Sequence, residues 1–573
     1  MNLRIPKCHG TYSVLEDGTI ELSWFCPDRV GWAKMLALVR AIPRRAFDSE
    51  TKKWYIPATQ ENIESLAESG WRATKKSVVK AEPAPTISGV PVPKKYAEYM
   101  NKPEEVPEVD PVVSQREAIA AFTLDPSRDL VPGLRNYQID FIKFAAMRNG
   151  RVALGDGMGT GKTLQSLAWL AYNRSFPALI VVNAPTKLQW QKEYRRWLSS
   201  VPGCPYRVQI LYGTRPRKLD KRCSYIINWD ILTYWQDELA QTGFECLIGD
   251  EAQAIGNPES KRALAFRHLA AVVPECIVMS GTPARSKPAQ FWTMVSCVEP
   301  QMFPTYKGFL WRYTNPRNNG WGLQFEGARN VKELHAKLVS VMLRRTKEDV
   351  MKDLPPKMLD VVPLEADAGA LAEYTNEENS IADLQGIEAR ERLVNLTRTA
   401  YAVKEKSLLN WVRLFLESGE KLLLFAWHRD VVDQLCKELA EFKPAKIYGG
   451  VSMQQRENEK ERFIGDPDCR LMVCNIQSGG TGIDGFQKIC CNVAFAEFAE
   501  TSTDMEQAED RLHRGGQTRP VSVYYLIAPG TIDEDMAEAL DEKKKVLASV
   551  LDGKEAGDLD LIATIAARRG LRL

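Results

Sequence analysis

Short apolar runs alternate with helix-length intervals in two separate parts of the chain, and this alternation restricts the fold more than any other feature. Between Pro132 and about Pro300 the runs are VALGD (152–156), ALIVV (178–182), YRVQILY (206–212), CSYIIN (223–228), CLIGDE (246–251) and CIVMSGT (276–282). Helix-rich stretches follow over about 290–345 and 367–418. The alternation then resumes with KLLLFAW (421–427), RLMVCN (470–475), CCNVAFAEF (490–498) and VSVYYLIA (521–528). Runs of this length, spaced by helical patterns, predict buried strands in parallel sheets with crossover helices. The expected class is α/β: two parallel-sheet lobes with helical insertions.

The length agrees. The 573 residues exceed one core, and roughly 100–200 residues per domain implies about three or four units. Seven prolines crowd residues 81–114 (83, 85, 91, 93, 103, 107 and 111) among acidic and small residues. Such density disfavours helix and sheet alike and predicts a semi-extended linker. It sets apart residues 1–80 as a small α+β module. Residues 115–365 then form a first lobe with its helical insertion, and 366–573 a second lobe with a helical lead-in and C-terminal helices. Within 1–80, Asp17-Gly18 turns a hairpin into TIELSW (19–24), and a helix is expected around Val30–Ala41. RRAFDSETKKWYIP (44–57) makes two extended pieces around Asp48-Ser49-Glu50, and a second helix runs from about Glu61 to Glu68.

Composition narrows the chemistry. Lys+Arg is 76 against Asp+Glu 74, a net charge of +2, so a nucleic-acid partner must be argued from local patches. Residues 1–80 hold thirteen basic against nine acidic residues, and Arg44, Arg45, Lys52 and Lys53 interleave with Phe47, Trp54 and Tyr55. Such mixing offers charge for phosphates and rings for bases. It suits an aromatic-cored mini-domain with a wet basic face equally well. The basic run GTRPRKLDKRC (213–223) reads as a solvated loop. None of the twelve cysteines forms a CxxC pair and the five histidines form no HExxH, so a metal site of protein nitrogen or sulfur is not expected. No apolar run approaches the ~20 residues of a membrane span, and MNLRIPKCHG lacks an apolar signal core. An intracellular protein without a membrane partner is expected, cytoplasmic in a bacterium or phage and nuclear in a eukaryote.

Three motifs carry chemistry. GDGMGTGKT (155–163) follows an apolar run and leads into the helical LQSLAWLAYN. A glycine-rich turn (Gly157, Gly159, Gly161) lets backbone N–H groups face phosphate oxygens, with the helix N-terminus adding its dipole. Lys162 is placed for the β/γ-phosphates and Thr163 for magnesium, although Asp156 stands where the literal pattern asks for glycine. CLIGDEAQ puts Asp250 and Glu251 at a strand end, the first suited to hold magnesium through water, the second to orient or deprotonate an attacking water. In QAEDRLHR (507–514), Arg511 and Arg514 are three apart, so on a helix they share a face and reach one phosphate together. On spacing alone a solvated, salt-bridged helix fits better; the other motifs shift that balance.

From about Leu134 to Met536 the chain resembles superfamily-two motors of the Swi/Snf family, with eight blocks in family order. LRNYQ (134–138) resembles the adenine-side motif, GDGMGTGKT motif I and NAPTKLQWQKEYRRW (183–197) motif Ia. DEAQ (250–253) resembles motif II and MSGTP (279–283) motif III. VMLRRTKEDVMKDLPPK (341–357) resembles the basic stretch between the lobes, QSGGTGID (477–484) motif V and QAEDRLHRGGQ (507–517) motif VI. The wording of motif VI and FDSETKKWYIP (47–57) look most like the branch of HARP-type annealing helicases. Three positions depart from the family: Gly157 replaces Glu, Gln253 replaces His, and FAETST (498–503) replaces Trp-Asn-Pro. The Gln253 change implies a weaker or re-routed contact toward motif III.

The resemblance implies two RecA-like lobes after a small α+β domain, and an ATP-dependent translocase on double-stranded or forked DNA that works as a monomer. ATP and magnesium are its implied cofactors. It assigns Gln138 to the base, Lys162, Asp250, Glu251, Arg511 and Arg514 to catalysis, and Thr186, Ser280, Thr282, Ser478 and Gly479 to the tracked strand. A strand-separating DNA or RNA helicase is the second enzyme reading. A non-hydrolysing ATP-binding scaffold is the alternative of another class.

Overall fold

The computed structural model describes residues 104–540, apart from 106, 202–203, 205–206, 282–288, 319–322, 327, 382–385 and 480–484. It also describes residues 9–14, 19–25, 39, 42, 46–48, 53–59, 62–64, 66, 71–73, 86–87, 90–91, 102 and 565. The chain divides into two compact units: residues 1–114 with 287–340, and residues 115–286 with 341–573. Among the described residues no helix is long and apolar enough to cross a membrane.

In the first unit, strands β1 (His9–Val14), β2 (Thr19–Phe25), β3 (Ala46–Asp48), β4 (Lys53–Pro57) and β5 (Arg72–Ala73) form one sheet in the order β3-β4-β2-β1-β5. β1–β2 and β3–β4 pair antiparallel, as the two anticipated hairpins require, while β5 joins β1 in parallel. Alternate residues turn inward: Ile20, Leu22, Trp54 and Ile56 pack with Tyr12, Val39, Leu66 and Trp71. Residues 62–64 and 66 are helical as expected; the helix expected at Val30–Ala41 falls almost wholly outside the described residues.

Only part of the proline-rich stretch lies among the described residues. It contains a short antiparallel pair, β6 (Thr86–Ile87) and β7 (Val90–Pro91), and a helix begins at Pro111. Proline at a helix's first turn loses no hydrogen bond, since that N–H has no partner within the helix.

The second unit holds both parallel sheets. Strands β8 (Arg151–Leu154), β9 (Ala178–Val182), β10 (Val208–Ile210), β11 (Ser224–Asn228), β12 (Cys246–Gly249) and β13 (Glu275–Met279) match the six apolar runs. Residues 287–340, of the first unit, carry helices Ala289–Val298, Tyr306–Tyr313 and Val331–Val341 with a hairpin, β14 (Asn315–Asn318) and β15 (Leu323–Glu326). There the buried Arg312 pairs with Glu333, which also accepts a hydrogen bond from Tyr313 at 2.6 Å. A short strand, β16 (Met342–Leu343), completes the first sheet in the order β10-β11-β9-β12-β13-β8-β16, every pairing parallel.

The second sheet comprises β17 (Lys357–Pro363), β18 (Leu422–Ala426), β19 (Ala445–Ile447), β20 (Leu471–Asn475), β21 (Asn492–Phe495) and β22 (Val521–Ile527). Its order is β17-β22-β21-β18-β20-β19, again all parallel. Alternate residues of β18 enter opposite cores. Leu423 and Phe425 pack with Phe463, Phe495 and Tyr374, while Leu422, Leu424 and Ala426 pack with Leu408, Val432 and Leu435. Helices on both faces make β18 apolar along its whole length. The expected α/β class with two parallel-sheet lobes is the observed one.

Candidate active site between the two lobes

The glycine-rich loop leaves β8 and enters the helix Lys162–Asn173. Gly159 takes φ +78°, and a Cβ there would lie 2.8 Å from Cβ of Arg514, so a side chain is excluded by both backbone and space. Gln138 stands against the same loop. Its Nε2 donates to the Thr160 carbonyl at 3.4 Å, and a Cβ on Gly161 would approach that nitrogen to 2.9 Å. Lys162 folds back to donate to the carbonyls of Asp156 (2.9 Å) and Gly157 (3.1 Å). Withdrawal from water lowers its pKa, opposed by the charges of Glu251, Asp156 and Asp250.

Asp250 and Glu251 follow β12. Two tryptophans hold Asp250: Trp190 Nε1 donates to Oδ2 at 2.9 Å, and Trp229 Nε1 to the backbone carbonyl at 2.9 Å. Loss of water and the neighbouring Glu251 charge push the Asp250 carboxyl up to about 7. Glu251 adopts φ +52°, a left-handed conformation that is strained for a residue with a Cβ. Gln253 Nε2 donates to Glu251 Oε2 at 2.6 Å, and Ser280 Oγ donates to Gln253 Oε1 at 2.6 Å. Gln253 thus makes the contact toward motif III that its departure from histidine put in question. Next to Ser280, a Cβ on Gly281 would lie 2.6 Å from Met158 Cγ and 3.3 Å from Lys162 Nζ, so backbone alone fits against the phosphate loop.

The second lobe supplies the arginines, but not from a helix. The helix Ser502–Glu509 ends before both, and Arg511 and Arg514 sit on the turns that follow. They nonetheless converge on the first lobe. Arg514 packs on Gly159, and Arg511 feels the Glu251 carboxylate. Burial lowers Arg514 to about 10, which leaves it charged at neutral pH. A surface pair also joins the lobes, Lys192 Nζ to Glu457 Oε1 at 2.5 Å.

The described residues expected on a tracked strand come from different elements. Ser280 is fully buried, with its hydroxyl on Gln253, so it supports motif II rather than facing outward. Thr186 ends a short 3-10 turn, Ala184–Thr186, and its hydroxyl donates to the Asn183 carbonyl at 2.9 Å. Ser478 and Gly479 lie on the short helix Ile476–Gly479 after β20. Lys53, on β4, is 2.6 Å from Glu21. Thr282, Arg44, Arg45 and Lys52 lie outside the described residues. The basic residues of the loop over 213–223 are exposed, as expected.

Sequence reasoning missed Trp190, Trp229, Arg345 and Lys347. Arg345 pairs with Asp156 at 2.5 Å and donates to Gln165 Oε1 at 3.0 Å; Lys347 pairs with Asp510 at 2.6 Å. An acid in place of a loop glycine beside a basic block was the available signal for the first pair.

A glycine loop, a strand-end acid pair and arginines from a second lobe, carried by two parallel sheets, make up one candidate nucleotide site. The SNF2-related domain model matches residues 137–413, and the helicase conserved C-terminal domain model matches residues 404–516. The chain belongs to the SNF2 family. It is 31% identical over 529 residues to the SWI/SNF-related matrix-associated actin-dependent regulator of chromatin subfamily A-like protein 1 of Xenopus tropicalis, covering 90% of this chain and 53% of that protein. Against the human DNA annealing helicase and endonuclease ZRANB3 it is 29% identical over 471 residues, 78% of this chain and 43% of the relative. The chain spans about half the length of these relatives. A solved Sulfolobus solfataricus SWI2/SNF2 ATPase core in complex with dsDNA aligns over 75% of this chain and 95% of its own, at 23% identity and a TM-score of 0.38.

Proposed function

We propose that the chain is an ATP-driven translocase on double-stranded DNA, working at forks and single–double junctions to remodel or anneal strands. The carrying observation is that Arg514 of the second lobe packs on the phosphate loop of the first. A site assembled from both lobes makes hydrolysis depend on their closure, which is what a stepping motor needs. The similarity to the human DNA annealing helicase and endonuclease supports the annealing part of the reading.

Lys162 and the loop N–H groups bind the ATP phosphates, and Gln138 approaches from the base side. The oxygens of Thr163 and Asp250 suit a hard cation, so these residues would hold magnesium, which offsets phosphate charge when bound. Glu251 takes a proton from the attacking water as its oxygen bonds to the γ-phosphorus. The bond to the β,γ-bridging oxygen breaks, and ADP leaves with that electron pair. Arg511 and Arg514 offset the charge that spreads over the transferring group. Thr186, the short helix Ile476–Gly479 and the exposed loop over 213–223 contact DNA phosphates, which positions the protein without reading bases. Residues 1–80, with Arg44, Arg45, Lys52 and Lys53, select the DNA structure.

Triplex displacement tests this directly. The wild-type chain should release a third strand from blunt duplex only with ATP, and Lys162→Ala should abolish release. Unwinding of the blunt duplex itself would instead favour the strand-separating helicase.

A further inference from the structure

The segment from β16 to β17, residues 344–356, crosses from one sheet to the other and grips both halves of the site within four residues. Arg345 holds the phosphate loop. Its guanidinium meets Asp156 at 2.5 and 3.1 Å and the Tyr137 carbonyl at 2.5 Å, and its own carbonyl accepts from Gly157 N at 2.9 Å. Two residues on, Lys347 turns to the second lobe, 2.6 Å from Asp510 and donating to the His513 carbonyl at 2.8 Å. Asp510 immediately precedes Arg511, and His513 immediately precedes Arg514. The Lys347 stem also touches the loop, since Cβ atoms at Gly157 and Gly159 would each lie 3.6 Å from its carbons.

Both ion pairs are buried. Arg345 and Asp156 side chains are 9% and 0% exposed, Lys347 and Asp510 8% and 13%. Buried pairs add little stability over apolar packing, so placing two on one short strap is better explained by what they hold in register. Burial alone would raise Asp510, yet Lys347 and Lys357 hold its carboxyl down to about 2. Asp510 is therefore ionised throughout the neutral range, while burial lowers the Lys347 ammonium against the pull of the Asp510 charge.

We propose that Lys347 is a positioning residue for hydrolysis: through Asp510 and the His513 carbonyl it sets the turn that presents Arg511 and Arg514 to the loop that Arg345 fixes. It touches neither water nor phosphate in this scheme. The proposal rests on the ATP-hydrolysing reading above and adds the element that couples its two halves.

The test compares full-length wild type, Lys347→Met, Asp510→Asn and the double variant. Duplex-stimulated ATPase gives kcat and KM, equilibrium titration gives affinity for ADP and for ADP with aluminium fluoride, and thermal melting reports folding. Each single variant should lose about a hundredfold in kcat, less than the ~10³–10⁵ ascribed to a whole arginine finger. ADP affinity and KM should stay within threefold. The preference for the aluminium-fluoride complex over ADP should shrink at least tenfold, and the double variant should be no worse than either single. Retained kcat in Lys347→Met with a normal wild type overturns the strap proposal alone. So does a loss of ADP affinity that tracks a lowered melting temperature, or additive losses in the double variant. A wild type that binds neither complex overturns the ATP-site reading and the proposal with it.

Discussion

The two contributions to the site are held in different ways. The phosphate loop is supported by its own lobe: Gln138 and Tyr137 both donate to the Thr160 carbonyl, and Gly281 closes over Met158. The arginine turn is supported across lobes. Beyond the helix ending at Glu509 it is tied by Lys347 to a strap that leaves the first sheet. Under the proposed function, a loop built this way should bind nucleotide whatever the second lobe does. Under the same proposal, arginines held this way should act only when the lobes are in register, which makes binding and hydrolysis separable.

The sharpest way to break that contrast is Arg514→Ala. It should lower DNA-stimulated kcat by about 10³-fold while leaving nucleotide affinity within a few-fold, whereas Lys162→Ala should lose both. Stopped-flow binding of a fluorescent ATP analogue beside steady-state phosphate release reads the two separately. Equal loss of affinity in both variants would erase the distinction.

A smaller effect is expected inside the first lobe. Gln253→Leu removes the side chain that joins Glu251 to Ser280. It should reduce kcat about tenfold to a hundredfold, with KM for ATP unchanged, because a displaced base loses alignment rather than binding. A KM shift without a kcat change would mean that Gln253 serves nucleotide binding instead.

The smallest effect is on stability. The Asp250 carboxyl is raised from an ordinary value of 3.8 to about 7, so folding favours its protonated form. That contribution is fully present below about pH 4 and is lost as pH rises through about 7. Nucleotide-free Asp250→Asn, which mimics the neutral form, should therefore gain melting temperature over wild type, more at pH 8 than at pH 5. Each kcal/mol corresponds to roughly 2–4 °C or less in a chain of this size. An equal difference at both pH values would place the Asp250 titration outside this range.

The ten buried strands of both lobes were legible because apolar runs between helices are local signals, and the loop and acid pair were legible because they sit at strand ends. β16 and β19 are two and three residues long, too short for periodicity to register. β17 was missed because its residues stay largely exposed along the sheet edge, without the apolar run of an inner strand. The helical pattern of 507–514 over-extended the helix Ser502–Glu509; Asp510, at its end, pairs with Lys347 and Lys357, which lie far off in sequence. Trp190 and Asp250 are 60 residues apart, Arg345 and Asp156 189 apart; no local pattern carries such pairs.

The most direct measurement of the central claim is phosphate release by the full chain with ATP and magnesium, alone and with saturating duplex or forked DNA. The account predicts low release alone, a large rise with DNA, and loss of that rise in both Lys162→Ala and Arg514→Ala. Release unaffected by DNA and unchanged in Lys162→Ala would contradict it.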